Sequence, residues 1–215
     1  MSKLKKKFKY AFGEILIVII GISLAFAMNK WGENTSNKAE KEQYIANLKL
    51  DITSDKKQLE SNLDIILQKI KQAEDVISIL GKDAKNKNQR LRSIYNIANL
   101  TSFTPKDYTH QTLINSGDLK LMNDFELKTA IQKHYSDYEK ILNAYERQEI
   151  INRDYIGNYF IYNTDYDLVR EGKSPFKDEK LLKNIMQSAR GSLMYKRDAT
   201  INGIKSCDSI LKFLN

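Results

Sequence analysis

Two histidines, one cysteine and two pairs of near-neighbour carboxylates are the residues with which this chain could do chemistry. His110 and His134 fall in different helical patterns, and neither has a Cys, His or Asp at metal-ligand spacing. Asp137 with Glu139, or Asp165 with Asp167, could in principle serve as acid and base, but neighbouring carboxylates are common on solvated helix faces. The stretch 163–175, with Asp165, Asp167 and Glu171, is a loop able to hold a cation weakly; it lacks EF-hand spacing and the glycine such a loop needs for its turn. No HExxH, CxxC, GxSxG or P-loop pattern occurs. Cys207 lies in an apolar stripe with Ile204, Ile210, Leu211 and Leu214, the setting of a small core residue, and a lone cysteine forms no intrachain disulfide. The residue types therefore point to no catalytic, cofactor or metal site, and a non-enzymatic protein is expected. A site assembled from dispersed residues would leave no local trace.

The elements that would position any such site read as helices. With only two prolines and nine glycines in 215 residues, the chain has few forced breaks, and its Lys, Leu, Ile, Asn and Glu content favours an all-α fold. Apolar residues recur at Ile45, Leu48, Ile52, Leu59, Leu63, Ile66, Ile70, Ala73, Ile77 and Leu80, which predicts one amphipathic helix of about 40 residues ending at Gly81. The step from Leu59 to Leu63 reads as a stutter, and Asp55 and Asn62 dilute the seam, so packing within a bundle is favoured over an isolated two-stranded coiled coil. After a polar loop over 82–88, a second helix is expected from Gln89 to Leu100, stopped by Pro105. A short helix then closes at Gly117, and Asn123 or Asp124 caps the next. That second long helix runs from Phe125 to about Tyr162 with Tyr135, Tyr138, Tyr145, Tyr155, Tyr159 and Tyr162 on its stripe. Tyrosines at this spacing read as core residues with hydroxyls at the rim. Two further helices are expected after Asp178, with Gly191 breaking or bending the chain between them.

The net charge of +8 is concentrated at one end. Lys3, Lys5, Lys6, Lys7 and Lys9 precede an almost wholly apolar run that ends near Asn29 and Lys30, and the remainder shows no concentrated basic face, so nucleic-acid binding is not expected. The run matches a transmembrane helix over residues 10–31, since 20 helical residues cover about 30 Å of hydrocarbon. Tyr10 and Trp31 bracket it as interfacial anchors would. The alternative is a secretion signal cleaved near Ala27, for which Ala25-Phe26-Ala27 is a small-x-small site. Glu14, the length of the run and the lack of a helix breaker before Ala25 favour retention. The lysine-rich tail keeps the N-terminus in the cytoplasm, with the rest of the chain across the membrane. Glu14, Gly21 and Ala25 share one helix face with Ala11, Val18 and Met28, a small-residue face suited to lateral association. Otherwise Glu14 snorkels to the headgroups beside Lys7 or Lys9.

The run from Lys9 through Gly13-Glu14, the Ile/Val-rich stretch with Gly21, and Asn29-Lys30-Trp31 resembles the N-terminal signature of a family of short single-span bacterial membrane proteins common in Bacteroidota. Ser116-Gly117-Asp118 resembles the family's serine-glycine turn, whereas Phe26 to Met28 depart from a pattern in which glutamine is common. The resemblance implies a topology and supplies no reaction.

The expected organisation is a basic cytoplasmic tail over 1–9, the span over 10–31, a juxtamembrane linker over 32–38, and an extracytoplasmic domain over 39–215 built on two long antiparallel helices with shorter ones. Its expected setting is the inner membrane, with the domain in the periplasm. The expected partners are the lipid bilayer and either a second copy or another membrane protein. The functional reading is a tethered interaction or assembly module of the cell envelope. The other reading is a ligand-sensing bundle that signals through a partner.

Overall fold

The computed structural model of the protein describes residues 2–82 and 91–214; the expected loop beyond Lys82 and the expected helix start at Gln89 lie outside them. Helix α1, Ser2–Ile79, is continuous from the apolar run into the folded domain, a length of about 117 Å at 1.5 Å per residue. The linker 32–38 is itself helical. Gly32, Asn34 and Asn37 are weak helix formers, but no proline intervenes, and extending an existing helix avoids the cost of nucleating a new one. Gly81, with φ of 79°, ends α1, and its N–H donates to Glu179.

Beyond it come short elements: α2 (Ser93–Ala98), α3 (Tyr108–Asn115) and a 3-10 turn (Asp118–Leu121) entered through Gly117 at φ 76°. Helix α4, Phe125–Ile151, starts at Asp124, whose carboxylate accepts from the N–H groups of Glu126 and Leu127. A π-helical turn, Asn152–Gly157, carries it into α5, Asn158–Tyr162. Beyond α6 (Tyr166–Arg170), Asp178 caps α7, Glu179–Phe213, by accepting from Leu181.

The domain is a bundle of three long helices. Tyr138 meets Asp55 and Tyr145 meets Asn62, so α4 runs parallel to α1 and not antiparallel to it as expected; the connection through α2, the segment 99–107 and α3 carries the chain back along α1 before α4 begins. Arg190 pairs with Glu74 and Lys56 with Asp208, so α7 runs antiparallel to α1 and its C-terminus lies toward the apolar end of α1.

Three further expectations are corrected here. No break or bend divides the C-terminal region: α7 runs through Gly191, which is exposed and where a Cβ would meet nothing within 4 Å, so nothing there forces a turn. The tyrosine stripe does not continue to Tyr162. The wide turn at 152–157 holds an extra residue, which rotates the helix beyond it; Ile156 and Tyr159 are buried while Tyr155 and Tyr162 face out. The stutter in α1 is also absent. The buried seam is Leu48, Ile52, Asp55, Leu59, Asn62, Ile66, Lys69, Ala73 and Val76, an unbroken 3-4 alternation in which Asn62 takes the inward place and Leu63 is half-buried.

Candidate interaction site

The three polar residues on that seam, Asp55, Asn62 and Lys69, are seven residues apart, one per heptad, and all are buried. Each reaches the main chain of the non-helical segment 99–107, which crosses the bundle between α2 and α3. Lys69 donates to the carbonyl of Asn99; Asn62 donates to the carbonyl of Ser102 at 2.8 Å; both Asp55 oxygens accept from the N–H of Lys106, at 2.9 and 3.1 Å. Seven helical residues advance about 10.5 Å, and three or four extended residues advance about 10–13 Å, so the two ladders stay in register. The other helices add to the grip. Asn152 donates to the carbonyl of Ala98 and Lys196 to that of Thr101. These buried polar groups thereby satisfy backbone that no helix or sheet pairs.

At one end of this strap, Ser206, His134, Tyr138 and Asp55 form a hydrogen-bonded chain. The Tyr138 hydroxyl donates to Asp55 at 2.7 Å, so the His134 Nε2 that meets it at 2.9 Å is the donor and Nδ1 accepts from Ser206 at 2.8 Å. Burial lowers the His134 pKa to about 4, which keeps the ring neutral. Burial raises the pKa of Asp55 against the opposing hydrogen bonds from Tyr138 and Lys106. The Cys207 thiol, 4.0 Å from Tyr138, is pushed up to about 12 by burial and stays protonated. The chain has the order of a nucleophile, base and orienting acid. Two features set it apart from such a device: a base held near pKa 4 takes a serine proton poorly, and Ser206 lies inside α7, where the surrounding N–H groups are spent on helix bonds.

At the other end, Lys196 is fully buried on α7, donating to Gln148 at 2.6 Å and to Thr101 at 2.8 Å, with its ammonium 3.8 Å from the centre of the Tyr145 ring. Burial lowers its pKa to about 7, and the neighbouring Lys69 adds to the effect.

The surface that opens outward lies on the side of α4 and α7 away from α1. It is a trough of about 870 Å³. Ala130, Ile141, Ala199, Gly203 and Ile210 form much of its floor, and Phe125 and Phe213 stand at the mouth nearer the apolar part of α1, Phe125 with 78% of its surface exposed. The helices approach closely where Gly203 meets Ile141: a Cβ on Gly203 would lie 2.5 Å from Ile141 Cδ1 and 3.1 Å from Leu59 Cδ1.

The residues singled out in the sequence occupy the other end of α1. Glu14, Gly21 and Ala25 are all exposed on the lone part of that helix, and a Cβ on Gly21 would meet nothing within 4 Å. Trp31 is 74% exposed. Lys3, Lys5, Lys6, Lys7, Lys9 and Tyr10 lie outside the residues whose side chains are described. Among the described residues, 14–31 are exposed throughout, so this segment and the trough are separate surfaces. Of the two, only the first was signalled locally, because the trough depends on the pairing of α4 with α7. Among the described residues no cluster of His, Cys, Asp and Glu could hold a metal ion.

A family model matches residues 14–164, from Glu14 in the apolar run to just beyond α5. The chain belongs to the family of unknown function DUF6090. Neither a curated protein nor a solved structure matches it. The DUF6090 match includes the strap and α4, while α7, the second wall of the trough, lies beyond it.

Proposed function

We propose that this DUF6090 protein is a non-enzymatic, membrane-tethered interaction or assembly module of the bacterial cell envelope. It is held in the inner membrane by α1, with its N-terminus in the cytoplasm and its bundle in the periplasm. The observation that carries the reading is the continuity of α1. The side chains from Ile15 to Met28 are exposed to whatever surrounds them, and the same helix becomes the central seam of the bundle from Leu48. An apolar helix surface exposed all round suits a bilayer and is costly in water. The polar stretch between, residues 32–43, would hold the bundle about 18 Å beyond the bilayer. A domain held at fixed height by a stiff helix is suited to meeting another envelope component. The trough, and the Glu14, Gly21 and Ala25 face within the membrane, are the surfaces it offers.

The test is chemical crosslinking in intact membranes with subsequent affinity purification of the full chain. The expected result is reproducible recovery of one or a few membrane or envelope proteins; recovery of the chain alone as a monomer overturns the reading. A second reading, ligand sensing, is favoured by the trough's size, which falls within the range of small-molecule sites. It predicts a thermal shift with a small molecule in place of a co-purifying protein. Reporter fusions at the two ends of the chain check the orientation, and the mass of the purified chain checks that the span is retained.

A further inference from the structure

We infer that the trough between α4 and α7 is the docking site for an amphipathic helix of a partner protein whose apolar stripe is flanked by acidic residues. This rests on the interaction-module reading above and specifies the partner's chemistry. The shape argues for a helix. The trough runs along two antiparallel helices from Phe125 to Ile141, about 24 Å at 1.5 Å per residue, and sits where a fourth helix would complete a four-helix bundle. A helix of about 16 residues fills that length. Ala130, Ala199 and Gly203 on the floor permit close approach, while Phe125 and Phe213 offer apolar contacts at the open end.

The charges choose the partner. On the α4 rim, Lys133 and Lys140 share a single carboxylate, Asp137, the Lys140 pair at 2.9 Å, so this cluster carries one positive charge in excess. On the α7 rim, Lys205 is exposed and adds another, while Asp198 is held by Arg197 at 2.7 Å. Glu126 lies at the Phe125 end of the α4 rim, so the excess sits toward Lys140 at the other end. The same arrangement disfavours a second copy of this chain. Ile141 and Gly203 meet across the floor, so Lys140 and Lys205 stand at nearly the same height on opposite rims. Two copies anchored in one membrane and related by a two-fold axis along the trough would set Lys140 of one against Lys205 of the other, a repulsive contact. Acidic flanks on a partner helix would instead meet lysines on both sides.

The experiment places a photo-crosslinking amino acid in the full-length chain in its membrane at Thr129, at Ser209, or at Thr53 on the exposed face of α1 as a control. The expected result is crosslinking from Thr129 and Ser209, and not from Thr53, to a segment that mass spectrometry identifies as an amphipathic helix with Asp or Glu beside its apolar stripe. Combining K140E with K205E should reduce the yield about fivefold or more, with the circular dichroism unchanged. The inference is overturned by crosslinks only to another copy, only to lipid, or at no more than the Thr53 level, and equally by a yield indifferent to charge reversal. Should the unsubstituted chain still co-purify a partner in those cases, the trough assignment falls and the tethered-module reading stands. Absence of any co-purifying partner would instead remove that reading.

Discussion

The two ends of the buried strap solve one problem with opposite charges. Near Lys106, the carboxylate of Asp55 accepts two bonds from one backbone N–H and a third from Tyr138, whose partner His134 links it to Ser206. Near Thr101, the ammonium of Lys196 has two oxygen acceptors and an aromatic face, and among the described residues no carboxylate pairs with it. Both charges sit in a desolvated interior near a like charge, Asp51 for the acid and Lys69 for the cation, yet both oxygens of the acid accept hydrogen bonds, whereas the cation finds two oxygen acceptors for its three N–H groups. A buried charge held by hydrogen bonds fixes structure strongly. One held by few is stabilised little by its own presence.

Phe103 joins the two ends, and its removal has the largest expected effect. Its ring meets Tyr138 edge-on at 5.4 Å and Tyr145 at 6.2 Å, one tyrosine from each cluster. Phe103→Ala should cost about 3–4 kcal/mol, measured by chemical denaturation of the full chain in detergent. If the loss is under about 1 kcal/mol, the strap is held by its polar clamps alone. Asp55→Ala comes next, at about 2–3 kcal/mol, because the Lys106 N–H and the Tyr138 hydroxyl lose their acceptor in the interior. Exchange of the Lys106 amide with deuterium should accelerate in this variant while α7 keeps its protection. Equal acceleration throughout the bundle would mean that Asp55 supports the whole fold and not one end of the strap.

How much of this is legible in the sequence differs by the range of the interaction. The all-α fold, the caps at Asp124 and Asp178, the turn at Gly117 and the apolar segment are local properties of the chain, and each is readable from residue types within a few positions. The strap is not, since it depends on residues far apart in sequence: Lys69 to Asn99, Asn62 to Ser102, Lys196 to Thr101. A signal is nevertheless present. Asp55, Asn62 and Lys69 recur every seven residues on an otherwise apolar seam, and polar residues so placed call for polar partners across the core. Placing Leu63 on the seam instead of Asn62 turns that ladder into an apparent stutter. Gly191 and the turn at 152–157 mislead for a different reason: glycine permits a break without requiring one, and a wide helical turn leaves no mark in apolar spacing. The trough is hidden because its floor combines α4 with α7, and no pattern in either helix names the other.

Smaller effects separate the two ends by pH. His134→Phe should cost about 1 kcal/mol at neutral pH through the lost bonds to Tyr138 and Ser206. Its diagnostic lies in acid. His134 has its pKa lowered from 6.5 to about 4, so its neutral form is favoured in the fold, and the wild-type chain loses stability as pH falls through that interval. The variant should lack this part of the decline. Asp55 acts in the opposite direction: with its pKa raised above 3.8, it costs the fold stability as pH rises from that value toward its elevated one. The two trends overlap, so the His134→Phe profile compared with wild type is the measurement that isolates the imidazole.

Lys196→Met is the gentlest change at neutral pH and the sharpest test of the contrast. Methionine keeps most of the volume and contact with the Tyr145 ring. It removes an expensive buried cation along with the donors to Thr101 and Gln148, and these terms nearly cancel, leaving a change within about 1 kcal/mol. The pH dependence should change much more. With its pKa lowered from 10.5 to about 7, Lys196 favours the folded state fully only above the upper value, and stability is lost as pH falls from 10.5 through 7. The methionine variant should be flatter across that range, so its stability relative to wild type grows as the solution is brought from about pH 10 toward 7. A wild-type profile already flat there would mean that Lys196 remains charged at both limits and is held as firmly as Asp55, which would erase the difference between the two ends of the strap.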